Sequence, residues 1–231
     1  MAAMSGMLRV FPVLFVLLAA LSFGGCSSDD KGSKTPIQVE TSTSKATPTV
    51  KDVFDRAVSD LRDNEIDRAV NGFALIIEKA YPGAPERAFA YAYLGQIAFR
   101  AGKTDAAIEN FEGALQESPE MTPTRMALAN AYFSAGRIDD AIKTWESLAA
   151  ANPNLATVHN NLGVAYLDKD DATRAIQHLE QTIAISPENV RAHANLAIAY
   201  RKSGMEESAQ AAERKVAAIR ARIAAKVAPA E

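Results

Sequence analysis

Few of the 231 residues stand where chemistry would need them. The chain has three histidines, His159, His178 and His193, and one cysteine, Cys26. A multi-histidine metal centre would need all three histidines to converge, with open space for the ion. His159 and His193 instead occupy equivalent positions on neighbouring helices with few other ligands in reach, and they read as packing residues with a hydrogen bond. His178 reads as a surface residue. One cysteine excludes an intramolecular disulfide framework and a cysteine-rich zinc module. The neighbours of Cys26 are Gly25, Ser27 and Ser28, so it is no buried packing thiol. Asp139-Asp140 and Asp170-Asp171 precede helical segments, where carboxylates suit helix N-termini better than acid–base catalysis. No G-x-S-x-G, H-E-x-x-H, Walker A or G-x-G-x-x-G motif occurs. The expectation is therefore a chain that is not an enzyme, with no metal, no catalytic residue and no small-molecule substrate. With 25 basic and 28 acidic residues the net charge is -3. That balance argues against general nucleic-acid binding, which needs a basic surface.

The elements around these residues fall into three parts. Residues 1–25 read as an export signal. Arg9 is followed by an apolar run from Val10 to Phe23, interrupted by Pro12. The run is short for a transmembrane helix, which needs about 20 apolar residues, and suits the hydrophobic region of a signal peptide. Gly24-Gly25-Cys26-Ser27 then resembles the lipobox of bacterial lipoproteins, with Phe23 where that family usually has Leu. The resemblance implies that Cys26 becomes the first mature residue and carries a diacylglycerol and acyl chains. It also implies that Ser27 directs the protein to the outer membrane, facing the periplasm of a bacterial cell envelope. An uncleaved anchor and an ordinary cleaved signal are the alternatives, and Met1, Met4 and Met7 are all possible starts. No cofactor is expected beyond this covalent lipid.

Residues 26–49 read as a flexible tether. From Ser27 to Thr49 there are ten Ser or Thr, two Pro, and only Ile37, Val39 and Ala46 as aliphatics. Such a segment buries too little surface to offset its ordering entropy. Its root-mean-square span would be roughly 25 Å and its full extension about 75 Å.

From residue 50 onward, self-comparison shows a period of 34 residues. Leu94, Leu128, Leu162 and Leu196 form one column, and Gly95, Ala129, Gly163 and Ala197 the next. Tyr132, Tyr166 and Tyr200 recur, with Ala98 in the earlier slot. Gly102, Gly136 and Gly204 share a column with Asp170. Ala107, Ala141, Ala175 and Ala209 fill another. Phe111, Trp145 and Leu179 supply one large apolar residue per unit, and Glu213 ends that series. Pro119, Pro153 and Pro187 punctuate the units.

On these columns the chain resembles the tetratricopeptide repeat (TPR) proteins. The resemblance implies an all-α solenoid of about five helix-turn-helix units. They fall at about 50–83, 88–121, 122–155, 156–189 and 190–223, within a domain spanning 50–228 and followed by a tail at 229–231. Ala84-Pro85-Glu86-Arg87 interrupt the period between the first two units. Each column has a physical reading. The small residue lets helix A approach helix B, the Tyr and the large apolar residue fill the space between units, and Gly at the turn takes positive φ cheaply. The polar final helix suits a terminal unit.

In this family helix A lines a concave face that binds partner proteins. Beyond its packing stripe, each helix A offers a second stripe at helical spacing. From it the expected partner-binding groove comprises Phe99, Asn130, Phe133, Asn161, Asn195, Arg191, Arg201 and Lys202. Asn161 and Asn195 directly precede the signature Leu, where some peptide-binding members hydrogen-bond a guest backbone. Phe99 and Phe133 are the expected apolar anchors, and the three cations are expected to favour acidic groups. The architecture resembles pilotin-type lipoproteins of type IV pilus or secretion secretins. The alternative is an adaptor for peptidoglycan hydrolases or other cell-wall enzymes.

Overall fold

The computed structural model describes residues 47–80 and 82–227. The expected signal peptide, Cys26, the tether up to residue 46 and the tail at 229–231 lie outside the described residues. The described part is all-α. Its ten helices are α1 (Val50–Arg62), α2 (Ile66–Lys79), α3 (Pro85–Arg100), α4 (Thr104–Glu117), α5 (Thr122–Ser134), α6 (Ile138–Ala151), α7 (Ala156–Asp168), α8 (Ala172–Ile185), α9 (Val190–Lys202) and α10 (Glu206–Val227). They pack as consecutive A/B pairs, each pair against the next. Among the described residues no helix is long and apolar enough to cross a membrane.

Local chemistry sets the helix ends. At Thr49 a capping box starts α1. The Thr49 Oγ1 accepts from the Asp52 amide at 3.2 Å, and the Asp52 carboxylate accepts from the Thr49 amide at 2.9 Å. Pro85 opens α3, where a missing N–H costs nothing. Pro85, Glu86 and Arg87 form the first turn of α3, so the residues that interrupt the period lengthen this helix to 16 residues where the other A helices have 13. Every A-to-B turn closes with the same bond, from an amide back to a carbonyl five residues earlier. These run Glu65 to Asp60, Lys103 to Ala98, Arg137 to Tyr132, Asp171 to Tyr166 and Met205 to Tyr200, at 2.8–2.9 Å. This closure demands a left-handed residue inside the turn. Gly102, Gly136 and Gly204 supply it, and Asn64 (φ 64°) and Asp170 (φ 56°) adopt it without being glycine.

Within a unit the two helices meet over the small column. A Cβ on Gly95 would come within 2.6 Å of the Phe111 ring, and one on Gly163 within 2.6 Å of Leu179. In the first unit the same approach is made by Ala57 against Gly72, where a Cβ would meet Ala57 at 2.8 Å. Leu162, Leu179, Tyr166 and Trp145 belong to one buried cluster that spans three units. Each Tyr of the repeat also donates its hydroxyl to a carboxylate on the preceding helix B. The pairs are Tyr132 to Glu112 (2.6 Å), Tyr166 to Glu146 (2.6 Å) and Tyr200 to Glu180 (2.8 Å). Successive A helices touch, α1 with α3, α3 with α5 and α7 with α9, whereas successive B helices make no comparable contact. A stack that is tighter on its A side curves with the A helices inside.

The acidic pairs divide. Asp171 caps α8 as expected, accepting from the Arg174 amide at 3.0 Å. Asp139 and Asp140 do not cap: they lie inside the first turn of α6, pairing with Lys169 and Arg137. His159 and His193 are buried, each with Nε2 at 2.9 Å from a proline carbonyl, of Pro153 and Pro187. The reading of His178 as a surface residue is corrected. Its ring is half-buried, stacks on Tyr166 (5.6 Å, 3°) and places Nδ1 at 3.3 Å from Nδ1 of His159. The reason is tertiary: α8 folds back over α7 and presses this position onto the Tyr of its own unit. His159 donates from Nε2 to Pro153, so its Nδ1 accepts and His178 donates.

Two expectations follow from this packing. Leu162→Ala should destabilise the fold by about 2–5 kcal/mol, and Gly163→Leu should overpack against Leu179 and lower the denaturation midpoint. Chemical denaturation of each variant checks both. Burial, and next the charge of His159, lower the pKa of His178 in the folded protein, while Glu146 opposes them. A depressed folded pKa means a contribution that is complete above the unfolded value of about 6.5 and is lost as pH falls through the folded value. Wild type should therefore lose more stability than His178→Phe as the pH falls from about 6.5 through the folded value, measured as denaturation midpoint against pH.

Candidate functional site

Inside the curve, α5, α7 and α9 enclose a cavity of about 410 Å³. Asn130 and Phe133 come from α5, Asn160, Asn161 and Val164 from α7, and Arg191 and Asn195 from α9. Helical spacing accounts for this set. Asn161 and Asn195 precede the buried Leu162 and Leu196, so packing of the Leu turns each Asn toward the A side. The asparagines are also joined across helices. Asn161 Nδ2 donates to Asn130 Oδ1 at 3.1 Å, and Asn195 Nδ2 lies 3.5 Å from Asn160 Oδ1. An asparagine amide has two donors and two acceptor sites. Each member thus keeps hydrogen-bonding capacity after bonding its neighbour, while its rotamer is fixed in advance.

The apolar part of the cavity is aromatic. Phe133 packs against Trp145 at 5.7 Å, and both line it. Trp145 is 2% exposed, and its indole N–H has no acceptor among the described residues. Two arginines, Arg191 and Arg220, also line the cavity.

Of the expected groove residues, Asn130, Phe133, Asn161, Asn195 and Arg191 meet at this cavity. Phe99, Arg201 and Lys202 do not. Phe99 is half-buried, packs against the cluster of Ala107, Ile108, Phe111, Leu128 and Ala131, and does not line the cavity. Arg201 pairs with Glu213 at 2.9 Å and with Glu206 at 3.5 Å, and Lys202 pairs with Asp170. Those two cations tie α9 to its neighbours.

Seven lining residues lie outside the expected set, among them Asn160, Trp145 and Arg220. Asn160 shares a helix stripe with Asn161, but only the crossing of α7 and α9 shows that it faces Asn195. Trp145 fits its packing column so well that the sequence gives no sign of its second role. Arg220 belongs to the eight residues by which α10, at 22, exceeds the 14-residue B helices before it. That excess length is the one visible signal. Among the described residues no group of three or more His, Cys, Asp or Glu is placed to hold a metal ion.

Comparisons with known proteins agree with this architecture. Two family models, each described as tetratricopeptide repeat, match the chain, one over residues 98–162 and 166–223 and the other over 54–122. No curated protein matches the sequence. Among solved structures, a crystal structure of MamA superposes with a TM-score of 0.70 at 21% identity, covering 79% of this chain and 97% of that one. MamA 41-end from Desulfovibrio magneticus RS-1 gives 0.69 at 17%, covering 75% and 96%. At such identities the likeness shows the fold alone. The repeated columns, the ten paired helices and the matched family models together show that this chain belongs to the tetratricopeptide repeat family.

Proposed function

We propose that the protein is a non-enzymatic, membrane-anchored scaffold that holds a segment of a partner protein in its concave cavity during assembly of a cell-envelope complex. The chain is a TPR protein–protein interaction scaffold; the cavity supports the finer reading. A pre-ordered set of asparagines can satisfy the backbone groups of a guest chain, which otherwise lose water without compensation. Phe133 and Trp145 form an apolar floor of the hot-spot kind. Arg191 and Arg220 favour acidic side chains or a free carboxylate.

Anchoring rests on the sequence. The apolar run, the small residues before Cys26 and the tether together suit a lipoprotein. Two or more acyl chains would hold it stably where one would not. A type IV pilus or secretion secretin is the assembly this architecture resembles, and that assignment is an analogy of architecture.

Two outcomes test the reading. Cys26→Ala should accumulate an unprocessed precursor that incorporates no labelled acyl chain. Normal processing and labelling of that variant would sink the anchor. With a partner recovered by crosslinking from native membranes, Asn161→Ala/Asn195→Ala should keep its helicity and bind about 1–3 kcal/mol more weakly. Trp145 fluorescence provides the titration signal, because the only tryptophan lines the cavity. Unchanged affinity there, with loss on deleting residues 27–49, would move the site to the tether.

A further inference from the structure

The repeated tyrosines differ in what covers their rings. Over Tyr132 lies the Arg137 guanidinium, 4.3 Å from the ring centre and held by Asp140 at 2.7 Å. Over Tyr166 lies the Arg174 guanidinium, also at 4.3 Å and held by Asp171 at 2.5 Å. Arginine and aspartate have exchanged places between the two units, yet the guanidinium reaches the same seat. In the last unit the corresponding positions are Met205 and Ser208. Among the described residues no cation lies over the Tyr200 ring.

A second cover is missing as well. His178, which stacks on Tyr166, corresponds to Ala212. His193 is fixed as His159 is, with Nε2 on a proline carbonyl at 2.9 Å. Its Nδ1 is therefore aimed as that of His159 is, toward the slot that His178 fills in the earlier unit. In the last unit the residue at that position is Ala212, and among the described residues Nδ1 of His193 has no hydrogen-bond partner. These two absences leave a cavity of about 420 Å³ between α8 and α10, lined among others by Glu180, His193, Tyr200, Ser208, Ala212 and Lys215. It opens between B helices, on the side away from the asparagine-lined cavity.

We propose that this cavity binds an arginine side chain of a protein partner, with the guanidinium stacked on Tyr200 and hydrogen-bonded to Glu180 and to Nδ1 of His193. The chain itself supplies the template, since the two earlier tyrosines already carry a guanidinium at one distance. A guanidinium is planar, cationic and rich in donors, so one group replaces both missing covers. Glu180 supplies the opposite charge that Asp140 and Asp171 supply elsewhere. An ammonium lacks the plane, and a neutral ring lacks the charge. Lys215 stands at the rim where the earlier units have Ser147 and Gln181, and it does not lie over the ring. The site is separate from the concave cavity, so either can fail without the other.

The test uses the full-length chain with labelled histidine and tyrosine, titrated with N-acetyl-arginine methylamide and followed by NMR. Saturable shifts at His193 and Tyr200 are expected. The lysine analogue should bind several-fold more weakly, and the uncharged citrulline analogue should give no saturable shift. A Ser208→Arg/Ala212→His variant installs the covers of the preceding unit and should abolish the response while keeping its helicity. Glu180→Gln, a surface change, should weaken it. No saturable shift in wild type, an equal response to citrulline, or an undiminished response in the doubly filled variant would overturn the proposal.

Discussion

The close approach of helix A to helix B at one small residue is the constraint on which the rest of the structure depends. At Gly95 and Gly163 a single methyl would collide with the facing Phe111 or Leu179. That contact holds each pair of helices together and sets the level at which its large apolar residue is buried. Once it is made, the Leu before the small residue is turned into the core, and the Asn before that Leu is turned toward the A side. The turn chemistry follows from the same requirement. Two helices this close need a tight connection, and five equivalent turn bonds with a left-handed residue supply it.

Repetition then separates scaffold from function. Positions that maintain the stack recur: the buried Leu, the small residue and the Tyr bonded to a Glu. What differs between units are the groups laid over that frame. Asparagines gather on α5, α7 and α9, and Phe133, Trp145, Arg191 and Arg220 line the same cavity. On the other side, two tyrosines are covered by arginine and the third is open. A repeat array specifies its surfaces by departing from its own consensus, because a departure at a surface position leaves the nearest-neighbour packing intact.

The terminal unit shows this most clearly. Glu213 replaces the large apolar residue, so the last helix B turns a polar face outward, and Arg201 pairs with it. The helix also extends well past the length its partner needs. Ile219 is buried, and Arg222 pairs with Glu188. That extension brings Arg220 to the lining of the concave cavity, which Arg191 also lines. This helix, the last of the described residues, thus contributes to the A-side site from the B side of its own unit.

The sequence alone determined the helical class, the repeat length, the turn positions and the interior columns, because these depend on spacing along one chain and on contacts repeated every 34 residues. It also placed Asn130, Phe133, Asn161, Asn195 and Arg191 on one stripe, since helical geometry is local. Only the tertiary structure decided what those side chains meet. Phe99 lies on the same stripe, yet it does not line the cavity and packs instead where the neighbouring unit offers it Leu128 and Ala131. Arg201 and Lys202 are cations in any reading, but carboxylates from a distant turn and the next helix pair with them. His178 resembles a surface residue by position and becomes half-buried because α8 lies over α7. Which groups stay available for a partner is a remainder, left after every neighbour has made its contacts, and a remainder is fixed only when the neighbours are in place.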